Sequence, residues 1–336
     1  MPEDPKLDVA AVGNAIVDVL CHVPDGFVEE LGLQRGVMQL VDEAAAQRIY
    51  DRMPPGREVS GGSAANTAAG IASFGGRAAF VGKIRDDQLG EVFRHDIRAA
   101  GVRFDVPPAH DGPPTARCLV LVTGDGHRTM NTYLGAAGAI TADDVEGCRG
   151  LFEAASVTYL EGYLWDDDRA KGAMLRAIEI AKTGGRRVAM TLSDPFCVDR
   201  HRDDFLRLVD ADVDVLFANE DEVVSLFQAA SFDDALQAMR RHRCEYAALT
   251  RSEKGAVVVK GDEFHVIDAA PVDGVVDTTG AGDLYAAGFL FGLTSGFDVA
   301  TCGRLGALAA AEVISHLGAR PERDLAQLAT AAGLTS

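Results

Sequence analysis

The sequence predicts an α/β fold, a mostly parallel central sheet flanked by helices, with a small β-sheet lid. Two observations carry that expectation. Along most of the chain, short apolar runs alternate with segments of helical period, the rhythm of successive βα units. Between about residues 104 and 134 the rhythm stops, and alternating side chains around a glycine turn read as a hairpin without helices. The 336 residues, 47% hydrophobic and 25% charged, supply core enough for one large α/β domain. They exclude disordered, collagenous and disulfide-scaffold classes.

Residues 7–12 form an apolar run ending at Gly13-Asn14, which reads as a buried strand. Residues 18–23 and 37–41 read as further strands, and Asp42 caps a helix over 43–52. Residues 63–74 are rich in small side chains and follow Gly61-Gly62, as expected of a helix lying against a sheet. A strand at 78–81 and a helix at 89–100 follow. Leu119, Leu121 and Thr123 then alternate with Val120 and Val122, and 128–134 alternates too, with Gly124-Asp125-Gly126 as the turn. The βα rhythm resumes with strands at 157–160, 188–192, 213–217, 246–250 and 256–259. Helices are expected at 168–182, 203–210, 221–227 and 233–242. No linker separates the β insertion, so the expected division is a large α/β unit of 1–16, 42–103 and 135–336 and a lid of 17–41 and 104–134.

Charge and composition narrow the partners. Lys and Arg number 32 against 51 Asp and Glu, a net charge of −19, which disfavours nucleic acid and anionic membrane. The mostly apolar stretch 284–293 is too short to span a bilayer, and Met1-Pro2-Glu3-Asp4-Pro5 is too acidic for a signal peptide. Six scattered cysteines without a C-x-x-C read as buried thiols in a reducing cytosol, so the expected location is cytoplasmic.

The strongest local signal is Asp277-Thr278-Thr279-Gly280-Ala281-Gly282-Asp283, leading into an apolar helix. Glycines just before a helix let backbone N–H groups converge, and the helix dipole adds positive potential, so Gly280, Ala281 and Gly282 form an anion hole suited to a phosphoryl group. Asp283, in the first helical turn, can take a proton from a hydroxyl nucleophile there. A second glycine turn, Gly61-Gly62 before Ser63-Ala64-Ala65-Asn66, allows close approach of a ligand. Asn219 and Glu222, three apart, have the spacing of a capping box. Met130, Thr132 and Leu134 share one strand face, which is either core or a ligand cover. No Walker A sequence, no dinucleotide glycine fingerprint near the N-terminus and no histidine pair at metal spacing occur.

These motifs resemble the ribokinase-like (PfkB) carbohydrate kinases, and within them the adenosine kinase branch, over nearly the whole chain from Gly13-Asn14 to Gly318-Ala319-Arg320-Pro321. The resemblance implies a ribokinase-like fold, with Asp283 as catalytic base and Gly280–Ala281–Gly282 as anion hole. It implies that Asn14, Asp18, Gly62, Ser63 and Asn66 hold the sugar, and that Met130, Thr132, Leu134, Leu164 and Phe196 surround the base. Asn219, Glu222, Thr250 and Gly255 would serve the nucleotide. Asn219 and Glu222 would also place Mg²⁺, partly through water, and a monovalent cation near Asp277 and Thr279 occurs in parts of the family. Two positions depart from the family pattern. Ser252 stands for a glycine before the nucleotide loop, which costs of order 1 kcal/mol if φ is positive there. Arg85 stands for another, and adds a cation near the site. The activity implied is ATP-dependent phosphorylation of a nucleoside 5′-hydroxyl, adenosine to AMP. The rivals are a kinase for free ribose or fructose, and a catalytically silent nucleoside-binding regulator.

Overall fold

The computed structural model describes residues 6–124 and 127–335. The N-terminal Met1–Pro5 segment and the tip of the expected turn, Asp125-Gly126, lie outside the described residues. The strands are β1 Leu7–Val12, β2 Ile16–His22, β3 Met38–Leu40, β4 Arg57–Gly61, β5 Ala78–Val81, β6 Ala116–Val122 and β7 Arg128–Tyr133. They continue with β8 Ala155–Glu161, β9 Arg187–Thr191, β10 Val215–Asn219, β11 Tyr246–Thr250, β12 Ala256–Lys260 and β13 Glu263–Ile267.

Eight strands form the main sheet in the order β13-β12-β11-β10-β9-β8-β1-β5. From β11 to β5 every neighbour is parallel, and only the β11–β12 and β12–β13 pairings are antiparallel, so β12 alone runs against the rest. The parallel strands are apolar on both faces because helices cover both. In β1, for instance, Val9, Ala10, Ala11 and Val12 are all fully buried. The helix Ala281–Thr294 is apolar around most of its circumference, and the reason is visible in its neighbours. It is sandwiched between the sheet and the helix Val299–Val313. Gly288 permits that second contact, since a side chain there would overlap the Leu305 carbonyl.

The second sheet has the order β3-β7-β6-β2-β4 and is mixed. Its composition differs from the sequence expectation in two places. Arg57–Gly61, expected to lead into a helix, pairs antiparallel with β2 as an edge strand. Residues 104–115, expected in the lid, are fastened to the main body. There Phe104 packs on Phe80 and Phe93 at centroid distances of 6.0 and 5.5 Å. A run such as Arg57-Glu58-Val59-Ser60-Gly61 is too polar to announce an edge strand by periodicity. The outer face of this sheet buries Val19 and Leu119 under Ala46 and Ile49 of the helix Glu43–Tyr50. Its inner face, with Cys118, Val120, Val122 and Met130, turns toward the main sheet. Among the described residues no helix is long and apolar enough to cross a membrane. All six cysteines are free, four of them buried.

Candidate active site

The site forms where the second sheet overhangs the carboxyl ends of the parallel strands, the usual place for ligands in open α/β sheets. Gly280 adopts φ +82° and caps the helix Ala281–Thr294. The position requires glycine twice over, for its positive φ and because an added Cβ would lie 2.8 Å from Ala319 Cα. The turn is closed by Ala281 N–H donating to Thr278 O, while Leu284 N–H donates to Gly280 O. The amides of Gly282 and Asp283 precede the first intrahelical bond, and both residues line the cavity.

Asp283 is gripped from the other side of the cleft. Ser63 Oγ donates to its Oδ1 at 2.6 Å and Asn66 Nδ2 donates to its Oδ2 at 3.0 Å. Both donors lie in the helix Ser63–Ser73, whose N-cap Gly62 adopts φ +94° and admits no side chain, since one would overlap the Asn14 carbonyl. Loss of solvent raises the Asp283 carboxyl above its ordinary value, and the two hydrogen bonds pull against that shift. A carboxylate so placed is oriented, and more basic than one in water.

Asp18 projects from β2 into the same cavity. Among the described residues it accepts no hydrogen bond. Desolvation pushes its carboxyl up to about 7, against the pull of Arg320 and Arg128. Gly61 opposite leaves room for it, since a side chain there would overlap the carboxylate.

The cavity around Asp283 measures about 350 Å³ and is lined by Asp18, Gly62, Ser63, Asn66, Met130, Thr132, Asn219, Glu222, Thr250 and the 278–283 turn. A second cavity of about 330 Å³ adjoins it, with Ile16, Ser63, Thr132 and Tyr163 common to both. Its walls include Asn14, Met38, Leu40, Leu134 and the largely exposed Phe196. Met130, Thr132 and Leu134 therefore do share a face, and that face lines the two cavities.

Some expected residues sit elsewhere. Leu164 is buried in the main core, 2% exposed, because the 3₁₀ turn Gly162–Asp166 rotates it inward, and Tyr163 takes the cavity wall. Tyr163 O–H donates to the carbonyl of Ser193, itself at φ +77°. Gly255 lies outside both cavities, with φ +78° against the Ile267 carbonyl, so it shapes the turn between β11 and β12. Ser252 does take a positive φ, +52°. Arg85 points away, donating to Gly112 O, and adds no cation at the site.

Asn219 and Glu222 close a capping box. Glu222 N–H donates to Asn219 Oδ1 at 2.8 Å, and Asn219 N–H and Nδ2 donate to the two carboxylate oxygens at 2.9 and 2.7 Å. Desolvation pushes Glu222 up to about 7. Each oxygen keeps a lone pair, so this hard-oxygen pair fits a Mg²⁺ ion approached through its water shell. Asp277 is different. Its carboxylate already accepts from Thr279 N–H and Oγ1 and from Gly318 N–H at 2.8 Å, and it forms an ion pair with Arg128 at 2.7 Å. A guanidinium occupies the charge, so the expected monovalent cation does not fit on these oxygens.

Arg128 is the residue the sequence reading passed over. It lies on β7 two positions before Met130, on the face that points to the site, and that period-2 spacing was the available signal.

Residues 40–324 match the model of the pfkB family of carbohydrate kinases. The chain is 52% identical to the adenosine kinase of Sinorhizobium meliloti, with 97% of this chain and 99% of that one covered and a TM-score of 0.90. It is 48% identical to a probable sugar kinase of Rhizobium etli CFN 42, with 99% and 100% covered and a TM-score of 0.92. It is 29% identical over 329 residues to the adenosine kinase of Saccharomyces cerevisiae, covering 92% of this chain and 95% of that one.

Proposed function

The chain belongs to the pfkB family of carbohydrate kinases, and on that footing we propose that it transfers the γ-phosphoryl group of ATP to the 5′-hydroxyl of a nucleoside, adenosine giving AMP. One observation carries the choice of nucleoside. The cavity that holds Asp283 opens into a second, partly apolar one lined by Ile16, Met38, Leu40, Leu134 and Phe196. A free pentose or hexose would leave much of that second space unfilled, whereas a nucleoside spans both, its ribose between Asp18 and Asn14 and its base under the lid strand.

Asp283 takes the 5′-hydroxyl proton as the oxygen attacks the γ-phosphorus in line. Its raised pKa brings the base nearer to working pH, where proton transfer is most efficient. The amides of Gly282 and Asp283 and the helix dipole meet the charge on the equatorial oxygens. Because such transition states are loose, positioning and charge neutralisation carry most of the catalysis. Asn219 and Glu222 are the residues that would hold Mg²⁺, which neutralises phosphate charge when bound. The overhanging sheet excludes water that would otherwise take the phosphoryl group. The step returns a nucleoside to the nucleotide pool, a purine-salvage role in the cytoplasm.

ADP release measured with adenosine, guanosine, inosine, ribose and fructose as acceptors tests the reading. Adenosine is expected to give the highest kcat/KM. Ribose or fructose in first place overturns the nucleoside assignment, and no turnover with any of them leaves the silent regulator.

A further inference from the structure

Glu161, at the carboxyl end of β8, takes no part in the transfer described above, yet it is 1% exposed beside the base cavity. Its Oε1 accepts from Asn14 N–H at 2.8 Å and from Asn14 Nδ2 at 2.5 Å, and its Oε2 accepts from Ala64 N–H at 2.9 Å. Ala64 lies in the first turn of the helix Ser63–Ser73, so the positive end of that helix faces the carboxylate. The backbone is shaped around it too, since a side chain on Gly13 would overlap Oε2.

An ionised carboxylate only accepts, so Asn14 has to turn its NH₂ toward Glu161 and its oxygen away. That oxygen, Asn14 Oδ1, is buried without a partner, and Asn14 lines the base cavity. A buried acceptor left unpaired is costly, and a ligand hydroxyl supplies the donor it lacks.

We propose that Glu161 is a positioning residue which holds the Asn14 amide acceptor-side out, so that the cavity selects a substrate hydroxyl able to donate. The inference rests on the nucleoside reading only in naming that hydroxyl as the ribose 2′- or 3′-OH. A protonation dependence follows from the same geometry. Desolvation pushes Glu161 up to about 7 against its three donors, with Asp283 adding in the same direction. The other titratable groups around it are Tyr159 on its own strand and Tyr163, Asp166, Asp194 and Arg200 around the base cavity. Once protonated, one oxygen of Glu161 becomes a donor and its hold on Asn14 weakens. The contribution of Asn14 is therefore full above pH 7 and declines below it.

The test compares wild type, Asn14→Ala, Glu161→Gln and the double variant on adenosine, 2′-deoxyadenosine and 3′-deoxyadenosine. In wild type, the contact to Asn14 should supply roughly 5- to 10-fold of the kcat/KM lost on removing the hydroxyl that faces it, mostly through KM. In both single variants that penalty should shrink by the same factor, down to the part that Asp18 supplies, and the double variant should be no worse than Asn14→Ala. Additive losses, or unchanged discrimination in Glu161→Gln, overturn the proposal, since Glu161 then touches substrate itself or merely supports the fold.

A second measurement needs no change at the buried carboxylate. The fold-loss caused by Asn14→Ala is followed from about pH 8 down to about pH 5.5 and should shrink through about pH 7, because Asp283 and Asp18 titrate alike in both proteins and cancel. A flat ratio overturns the proposal. If adenosine is inert and ribose reacts, the nucleoside reading fails by itself. The same four proteins on ribose and 2-deoxyribose then decide the role of Glu161.

Discussion

Arg128 of the overhanging sheet meets Asp277 of the anion-hole turn at 2.7 Å, with side chains 12% and 4% exposed. The pair joins the second sheet to the turn that leads into the helix Ala281–Thr294. Because Asp277 also orders Thr279 and Gly318, the ion pair sets both the lid position and the shape of the turn.

Breaking one side of such a pair leaves a buried charge uncompensated, so Arg128→Met should destabilise the protein by about 3–5 kcal/mol. The double variant Arg128→Met, Asp277→Asn should cost clearly less than the sum of the single losses. Urea denaturation of the four proteins checks this, and additive losses would mean that the two side chains act independently.

Asp283→Asn keeps the shape and the bond from Ser63 but removes the base and sets an NH₂ against Asn66. Turnover should fall by about 10²- to 10⁴-fold, with ATP affinity nearly intact. The fold should survive, because burial already disfavours the charge that is removed. Steady-state kinetics with nucleotide-binding titrations measures both, and retention of most of the turnover would end the assignment.

Asp18 has no partner among the described residues, and two adjacent hydroxyls would satisfy it. Charge-assisted bonds of about 1.5–3 kcal/mol each imply that Asp18→Ala weakens adenosine by roughly 10-fold to several hundred-fold. 2′-Deoxyadenosine should already be poor with wild type and lose little more in the variant. Equal losses on both substrates would remove the contact to the 2′-hydroxyl.

Glu222 separates two roles by their readouts. If it orders Mg²⁺, Glu222→Gln raises the Mg²⁺ concentration for half-maximal rate. If it only caps the helix, stability changes slightly and the Mg²⁺ curve does not. Stability against pH gives a companion test. With its folded pKa raised from 4.5 to about 7, the folded state binds more protons than the unfolded one between those values. Stability from this group is thus full below about pH 4.5 and is lost as pH rises through 7. Glu222→Gln should flatten that fall in a pH series of melting temperatures.

Ser252 carries φ +52°, where a side chain is strained and glycine is not. Ser252→Gly should therefore leave stability unchanged or raise it by up to about 1 kcal/mol, the relief being partly offset by chain entropy. A clear loss in thermal denaturation would show that the Ser252 side chain makes a compensating contact.

By itself the sequence determined what is local. The βα rhythm, the two glycine turns at helix starts, the Asn219–Glu222 box and the shared face of Met130, Thr132 and Leu134 all depend on residues a few positions apart. Their geometry follows from φ, caps and strand period. The tertiary structure alone decided what joins distant segments. It recruited the polar run Arg57–Gly61 into the small sheet and turned Leu164 inward and Tyr163 outward. It also paired Arg128 with Asp277 and Glu161 with Asn14, across 147 positions in the latter case. A lone charged residue on a strand carries no sign of its partner. Whether it is solvated, paired or aimed at a ligand depends on which backbone packs beside it, and only the assembled sheets supply that.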